Sequence, residues 1–221
     1  MDRWATFDCY GTLIDWERGI REALARLWPE ADSHRLLARY HEIEPRIQAD
    51  GPSLPYREVM ARALESLADA EGLELRPLDR EALAESLPHW PAFPEVRGSL
   101  EELVSRRWRC GILSNTDPDL LAASILIIGV QPEITITARE AGSYKPAHGH
   151  WKFFSDSSKV DPSRHIHVAA SLFHDIAPAA ELGIPAVWIN RLGETSDLPR
   201  AAELPDLADL PDVLDKVVPD E

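Results

Sequence analysis

Four side chains able to do chemistry stand just past apolar runs or, for the lysine, directly before a proline. They are Asp8 in Phe7-Asp8-Cys9-Tyr10-Gly11-Thr12-Leu13, Ser114 in Leu113-Ser114-Asn115-Thr116-Asp117, Lys145 in Ser143-Tyr144-Lys145-Pro146, and Asp175 in Ser171-Leu172-Phe173-His174-Asp175. A carboxylate can serve as a nucleophile, and an ammonium beside it keeps it ionised and offsets charge that develops on it. A second carboxylate can assist an attacking water. Taken singly, each has a plainer reading. An Asp after a strand is commonly a turn or cap residue, Ser-Asn-Thr-Asp reads as an N-cap box, Lys-Pro reads as a surface loop whose proline opens a helix, and Asp175 reads as a helix N-cap.

The elements that carry these residues repeat one design. Short apolar runs at Trp4 to Cys9, Cys110 to Leu113, Ile134 to Thr137, His165 to Ala170 and Ala186 to Ile189 read as buried strands. Helical patterns alternate with them, as at Ser99 to Arg106 and Asp175 to Leu182. That alternation predicts a parallel sheet with helices on both faces, and ligands of such sheets bind at the carboxyl ends of the strands. Residues 15–94 carry no strand signal, and a segment so long is an insertion. Helical spacing within it (Ile20, Leu24, Leu27; Leu36, Tyr40, Ile43, Ile47; Val59, Ala63, Leu64, Leu67) predicts a helical cap. Pro88, Pro91 and Pro94, around Trp90 and Phe93, stiffen its return, so hinges are expected there and near Asp15. The fold class expected is α/β: a Rossmann-like parallel-sheet core (residues 1–14 and 95–221) with an inserted α-helical cap (residues 15–94). The tail from Ser196 is expected to add only a short closing helix around Asp212 to Val218.

Composition narrows the partners. With 44% hydrophobic and 28% charged residues, the 221-residue chain can bury a sizeable core. A formal net charge of -15 argues against nucleic acid and against anionic membranes. A small anionic substrate would need locally placed cations. Cys9 and Cys110, the only two cysteines, lie in apolar runs and read as reduced, buried thiols. No apolar run is long enough to span a bilayer, and the N-terminus lacks a secretory pattern, so the expected location is the cytoplasm.

The order Asp8, Ser114, Lys145, Asp175 on successive strand ends resembles the four motifs of the haloacid dehalogenase superfamily, over the whole chain and including the cap. The resemblance implies that Asp8 is the nucleophile, that Ser114 hydrogen-bonds the substrate's anionic group, and that Lys145 steadies the charge of Asp8. Phosphatase members of that superfamily carry a second Asp where this chain has Tyr10, and a Mg²⁺-binding Asp where it has Ala170. A hard cation would have lost one of its few anionic ligands, so neither metal nor cofactor is expected. A halide leaving group needs neither a proton nor a metal. Asp8 to Asp15 and Pro185 to Arg191 are similar to type II 2-haloacid dehalogenases, which displace halide beside a carboxylate and hydrolyse the resulting aspartyl ester with water assisted here by Asp175.

Substrate contacts are expected from Asn115, Thr12, Tyr10 and Trp16, the last two as an apolar wall. Packing between core and cap explains Tyr10 and Trp16 as well. The resemblance departs at Leu172, where those enzymes have an amide; His174 is a candidate for part of that role or a structural residue. Those enzymes also use a cap arginine. An ungapped comparison anchored on Glu42 and Tyr56 places Leu37 there, with Arg35 and Arg39 beside it, and Arg35, Arg39 and Arg46 all read as solvated helix-face charges. A divergent phosphatase and a non-catalytic binding protein of the same fold are the alternatives, and a homodimer is left open.

Overall fold

Every residue of β1 (Arg3–Phe7) is buried, as its near-continuous apolar run requires of a central parallel strand. The computed structural model describes residues 2–51 and 54–220. After β1 come α1 (Trp16–Leu27), α2 (Ser33–Asp50), α3 (Tyr56–Glu71), α4 (Ala82–Ser86), α5 (Val96–Ser105), β2 (Trp108–Ser114), α6 (Pro118–Ile128), β3 (Ile134–Thr137) and α7 (Ala138–Ala141). The chain continues through α8 (Gly149–Ser158), β4 (His165–Ala169), α9 (Ala177–Glu181), β5 (Ala186–Ile189), β6 (Ala202–Leu204) and α10 (Leu210–Val217). The sheet order is β3-β2-β1-β4-β5-β6, and every pairing is parallel. This is the Rossmann-like α/β core with a helical cap that the strand and helix patterns imply.

Register decides what the carboxyl edge presents. Phe7 pairs with Ile112 on one side and Val168 on the other, and the Asp8 amide still donates to Val168 O at 3.0 Å. Asp8 therefore leaves the sheet between the ends of β2 and β4. Gly11 follows at φ +91°, a conformation that a Cβ disfavours and that the sharp turn out of the strand needs.

Helices α1, α2 and α3 fill the segment between β1 and β2. Their crossings lie side by side: Asp15 N donates to Pro91 O (2.8 Å), Phe93 N donates to Leu13 O (3.0 Å), and Ile14 bridges Ala92. Trp90 packs directly against Gly19 of α1, where any Cβ would fall 2.2 Å from the indole. The crossing is thus locked on both strands of chain by backbone pairing and by a large buried ring.

Several elements differ from expectation. β1 ends at Phe7, and β2 begins at Trp108 and runs to Ser114. The strand β6 was not foreseen: it is short, lies at the sheet edge and is only partly buried, so it has no apolar run to betray it. Pro146 lies in a turn before α8 and does not open that helix. In place of one helix from Asp175, a π-helical turn Leu172–Ile176 precedes α9. The closing helix is present as α10, and its Asp215 accepts bonds from Arg3 (2.6 Å), Arg106 (2.9 Å) and Trp108 (2.9 Å), fastening the tail beneath the sheet. Among the described residues, no helix is long and apolar enough to cross a membrane.

Candidate active site

The ends of β1, β2 and β4 and the turn before α8 bring the chemically capable residues together. Lys145 Nζ donates to Asp8 Oδ1 at 2.8 Å, to Asp175 Oδ1 at 2.6 Å and to Leu113 O at 2.9 Å, so all three ammonium hydrogens are used. Lys145 is 2% exposed and Asp175 0%. Burial disfavours the ammonium, but Asp175 and Asp8 outweigh it and hold the Lys145 pKa above its ordinary value. Burial likewise disfavours the Asp175 carboxylate, yet Lys145 and His167 hold its pKa well below the usual carboxylate range. Lys145 and Asp175 therefore form an ion pair that is charged at neutral pH.

Neutral groups then fix each member. Thr12 Oγ1 donates to Asp8 Oδ2 at 2.8 Å and receives Ala170 N at 2.9 Å, which leaves Asp8 with one strong donor on each oxygen. The Asn115 amide donates to Lys145 O (2.9 Å) and accepts from Lys145 N (2.6 Å), so it clips the lysine's backbone to the end of β2. Two of the residues expected to touch the substrate differ in where they stand. Thr12 is fully buried behind Asp8 and is not part of the cavity wall, while Asn115 lines the cavity with its amide already engaged. Ser114 Oγ, by contrast, is buried, lines the cavity and has no hydrogen-bond partner among the described residues.

A polar chain beneath Asp175 escaped the sequence reading, because its members lie inside strands read as apolar. His167 Nε2 lies 3.0 Å from Asp175 Oδ1, and an ionised carboxylate only accepts, so this nitrogen carries the proton. His167 Nδ1 lies 2.9 Å from Thr6 Oγ1, and His165 Nε2 lies 2.8 Å from the same hydroxyl, which links the two rings. Burial lowers the His165 pKa to about 3, in keeping with a neutral ring. Asp175 Oδ1 thereby accepts two hydrogen bonds, while Oδ2 is buried with no partner among the described residues.

Above this edge lies a cavity of about 560 Å³ whose floor is Asp8, Ser114, Lys145 and Asp175 and whose cap side carries Trp16, His41, Glu44 and Gln48. Trp16 stacks on His41, with centroids 4.9 Å apart. Tyr10 also lines the cavity, but its hydroxyl is tied to Ser124 Oγ at 2.9 Å, and burial pushes its pKa far up. His174 lines the wall beside Leu172, its Nδ1 3.2 Å from Ser171 Oγ, and burial lowers its pKa. Arg191, also missed, donates to Thr12 O (2.8 Å) and Glu95 (2.6 Å) and lies over the Phe93 ring, joining the end of β5 to the cap crossing. Of the α2 arginines, Arg35 pairs with Glu71 and Arg39 with Glu42 on the exposed face, and Leu37 is buried; none of them lines the cavity.

A divalent cation does not fit this donor set. Lys145 already occupies the space between the two carboxylates, and the residue beyond β4 that would add a third is Ala170, whose amide is turned to Thr12. Among the described residues no group of three or more His, Cys, Asp or Glu side chains is placed to hold a metal. Cys9 and Cys110 are buried free thiols, both with raised pKa values from burial.

Comparison with known proteins gives the chain a family. The (S)-2-haloacid dehalogenase 4A of Burkholderia cepacia is 26% identical over 202 residues, covering 86% of this chain and 84% of that protein. The (S)-2-haloacid dehalogenase of Pseudomonas sp. strain YL is 24% identical, covering 85% and 82%. In fold, the L-2-haloacid dehalogenase of Xanthobacter autotrophicus with chloropropionic acid covalently bound superposes with a TM-score of 0.86 over 97% of this chain and 98% of that one, at 20% identity. A family model for haloacid dehalogenase-like hydrolases matches residues 3–183, and the chain belongs to that family of hydrolases.

Proposed function

We propose that this hydrolase removes halide from a short (S)-2-haloalkanoic acid by way of an ester on Asp8. The observation that carries the reading is the single lysine shared by two carboxylates, with Ala170 where a metal-binding acid would stand. The two curated relatives, both (S)-2-haloacid dehalogenases, support the substrate class. The division into a core of residues 1–14 and 95–221 and a cap of residues 15–94 belongs to the same proposal, with substrate held between them.

In the first step a lone pair on an Asp8 carboxylate oxygen forms a bond to the carbon beside the substrate carboxylate as the carbon–halogen bond breaks and halide leaves with its electron pair. Lys145 and Thr12 hold Asp8 so that its reactive oxygen is presented and its rotation is stopped. Ser114 Oγ, buried and unpartnered, is the natural donor to the substrate's carboxylate. In the second step water attacks the Asp8 carbonyl carbon, and the bond from that carbon to the former Asp8 oxygen now carried by the substrate breaks. That oxygen takes up the proton that Asp175 removed from the water and departs in the hydroxy acid, while the second water proton is released to solvent and Asp8 is left as a carboxylate. Asp175 Oδ2 receives the water's hydrogen bond. A carboxylate held this far below its ordinary range is a weak base, so it takes the proton only as carbon–oxygen bond formation makes that water acidic.

The test is halide release from chloroacetate, bromoacetate and (S)-2-chloropropionate with excess EDTA. Turnover should be unchanged by the chelator, and phosphate monoesters should remain intact with or without Mg²⁺. Activity that EDTA abolishes and Mg²⁺ restores would replace this reading with a phosphatase.

A further inference from the structure

Helix α2 buries an unusual stripe, whose C-terminal part, Glu44 and Gln48, lines the cavity. Its buried residues are Leu36, Leu37, Tyr40, Glu44 and Gln48, so the apolar face gives way to two polar side chains, while Ile43 and Ile47 stay only half-buried. Glu44 is 4% exposed and lines the same cavity as Asp8. An acid so deeply buried ordinarily comes with a cation. Among the described residues Glu44 makes no ion pair; its donors are the neutral Gln48 amide and the Tyr56 hydroxyl.

The surroundings offer nothing else to neutralise it. On α2 itself the nearby titratable group is Tyr40, whose buried hydroxyl has no partner. From α3 comes Tyr56, and from the turn after α7 comes Tyr144, whose hydroxyl is spent on Leu54 O at 2.7 Å. Burial pushes all three phenols up, so they stay neutral. The core side contributes the Asn115 amide, 3.5 Å from Gln48 Oε1, and Lys145, already divided between Asp8 and Asp175. Helix α1 brings Glu17, Arg18 and Arg21 to the wall, with Arg18 held by Glu22 at 2.7 Å and none of them bonded to Glu44. Burial accordingly raises the Glu44 pKa to about 7, against the opposing hydrogen bonds.

We propose that Glu44 is a specificity-determining residue that must carry its proton for an organic carboxylate to occupy the cavity, so that binding of the anion is coupled to uptake of one proton. The proposal rests on the anionic-substrate reading above. With Glu44 neutral, the cap wall presents a hydroxyl hydrogen to the incoming carboxylate. With Glu44 ionised, the cavity would hold, beside the lysine-paired Asp8, a buried negative charge that has no cation. Coupling is reciprocal: the anion raises the proton affinity of Glu44 as much as the proton raises affinity for the anion. His41 and His174 also line the cavity, and burial lowers both, so in the free protein they lose their protons before Glu44 does; the Glu44→Gln variant separates their contribution from that of Glu44.

Propionate, which has no leaving group, isolates binding from turnover. Calorimetric titration between about pH 6 and about pH 9, in two buffers of different ionisation enthalpy, should show affinity falling roughly tenfold per unit above about pH 7, with proton uptake approaching one. In Glu44→Gln both the slope and the uptake should vanish while affinity persists across the range. In Tyr56→Phe, which removes a hydrogen bond favouring the ionised form, the onset should move to higher pH. A flat affinity without proton uptake in the wild-type protein, an unchanged slope in Glu44→Gln, or no propionate binding at any pH would overturn the proposal. Loss of the dehalogenase reading alone would show differently, as absent halide release with the proton-coupled binding of propionate intact.

Discussion

Asp175 and Glu44 line one cavity and are both almost wholly buried, yet their partners differ in kind. Asp175 stands at the sheet edge with Lys145 at 2.6 Å and His167 at 3.0 Å, and these donors hold it ionised. Glu44 stands on the cap with only amide and phenol donors, and burial takes its pKa to about 7. The core therefore presents charges fixed across the physiological range, whereas the cap presents one that changes with pH. Chemistry that needs an anionic nucleophile belongs to the first wall, and discrimination among bound anions to the second.

The severest challenge to that division is Asp8→Asn. The amide removes the attacking carboxylate while keeping shape and most hydrogen bonds, so turnover should fall by at least about a thousandfold. Halide release must be followed before slow deamidation can restore Asp, with folding checked by thermal unfolding. Substantial early activity would move the chemistry away from the sheet edge.

A smaller effect is expected at His167, which touches no substrate and acts by positioning Asp175. Losing a hydrogen bond to a charged group costs about 1.5–3 kcal/mol, so His167→Leu should lower kcat roughly ten- to a hundredfold with little change in KM. The sign of the pH effect is fixed as well. The His167 proton favours ionised Asp175, so its removal raises that pKa and moves the acid limb of kcat to higher pH. His167→Gln, which keeps an N–H, should recover part of both. An unmoved acid limb in His167→Leu would reduce the histidine to packing.

What the sequence revealed and what it concealed follow the range of the interactions. Asp8, Ser114, Lys145 and Asp175 were legible because each marks the end of an apolar run or a turn, and the parallel topology then brings strand ends to one edge. Nothing local to Thr12 says that its hydroxyl is bonded to Asp8 and to the Ala170 amide. His167 sits within a strand whose burial is real, but its role depends on Asp175 and Thr6 reaching it from other elements. In α2, Ile43 and Ile47 satisfy helical spacing as well as Glu44 and Gln48 do. Only the packing of α1 and α3 decides which stripe turns inward. The edge strand β6 is too short and too exposed to leave a pattern.

The central claim is that Asp8 forms a covalent ester and that water then attacks the protein, not the substrate. Single turnover of a 2-haloacid by excess enzyme in ¹⁸O-water, followed by mass analysis of both product and the peptide containing Asp8, tests it directly. The account predicts that the label enters Asp8 and that the first hydroxy acid released carries an unlabelled protein oxygen. Label in that first product, with Asp8 unlabelled, would mean direct attack of water on the substrate carbon and would contradict it.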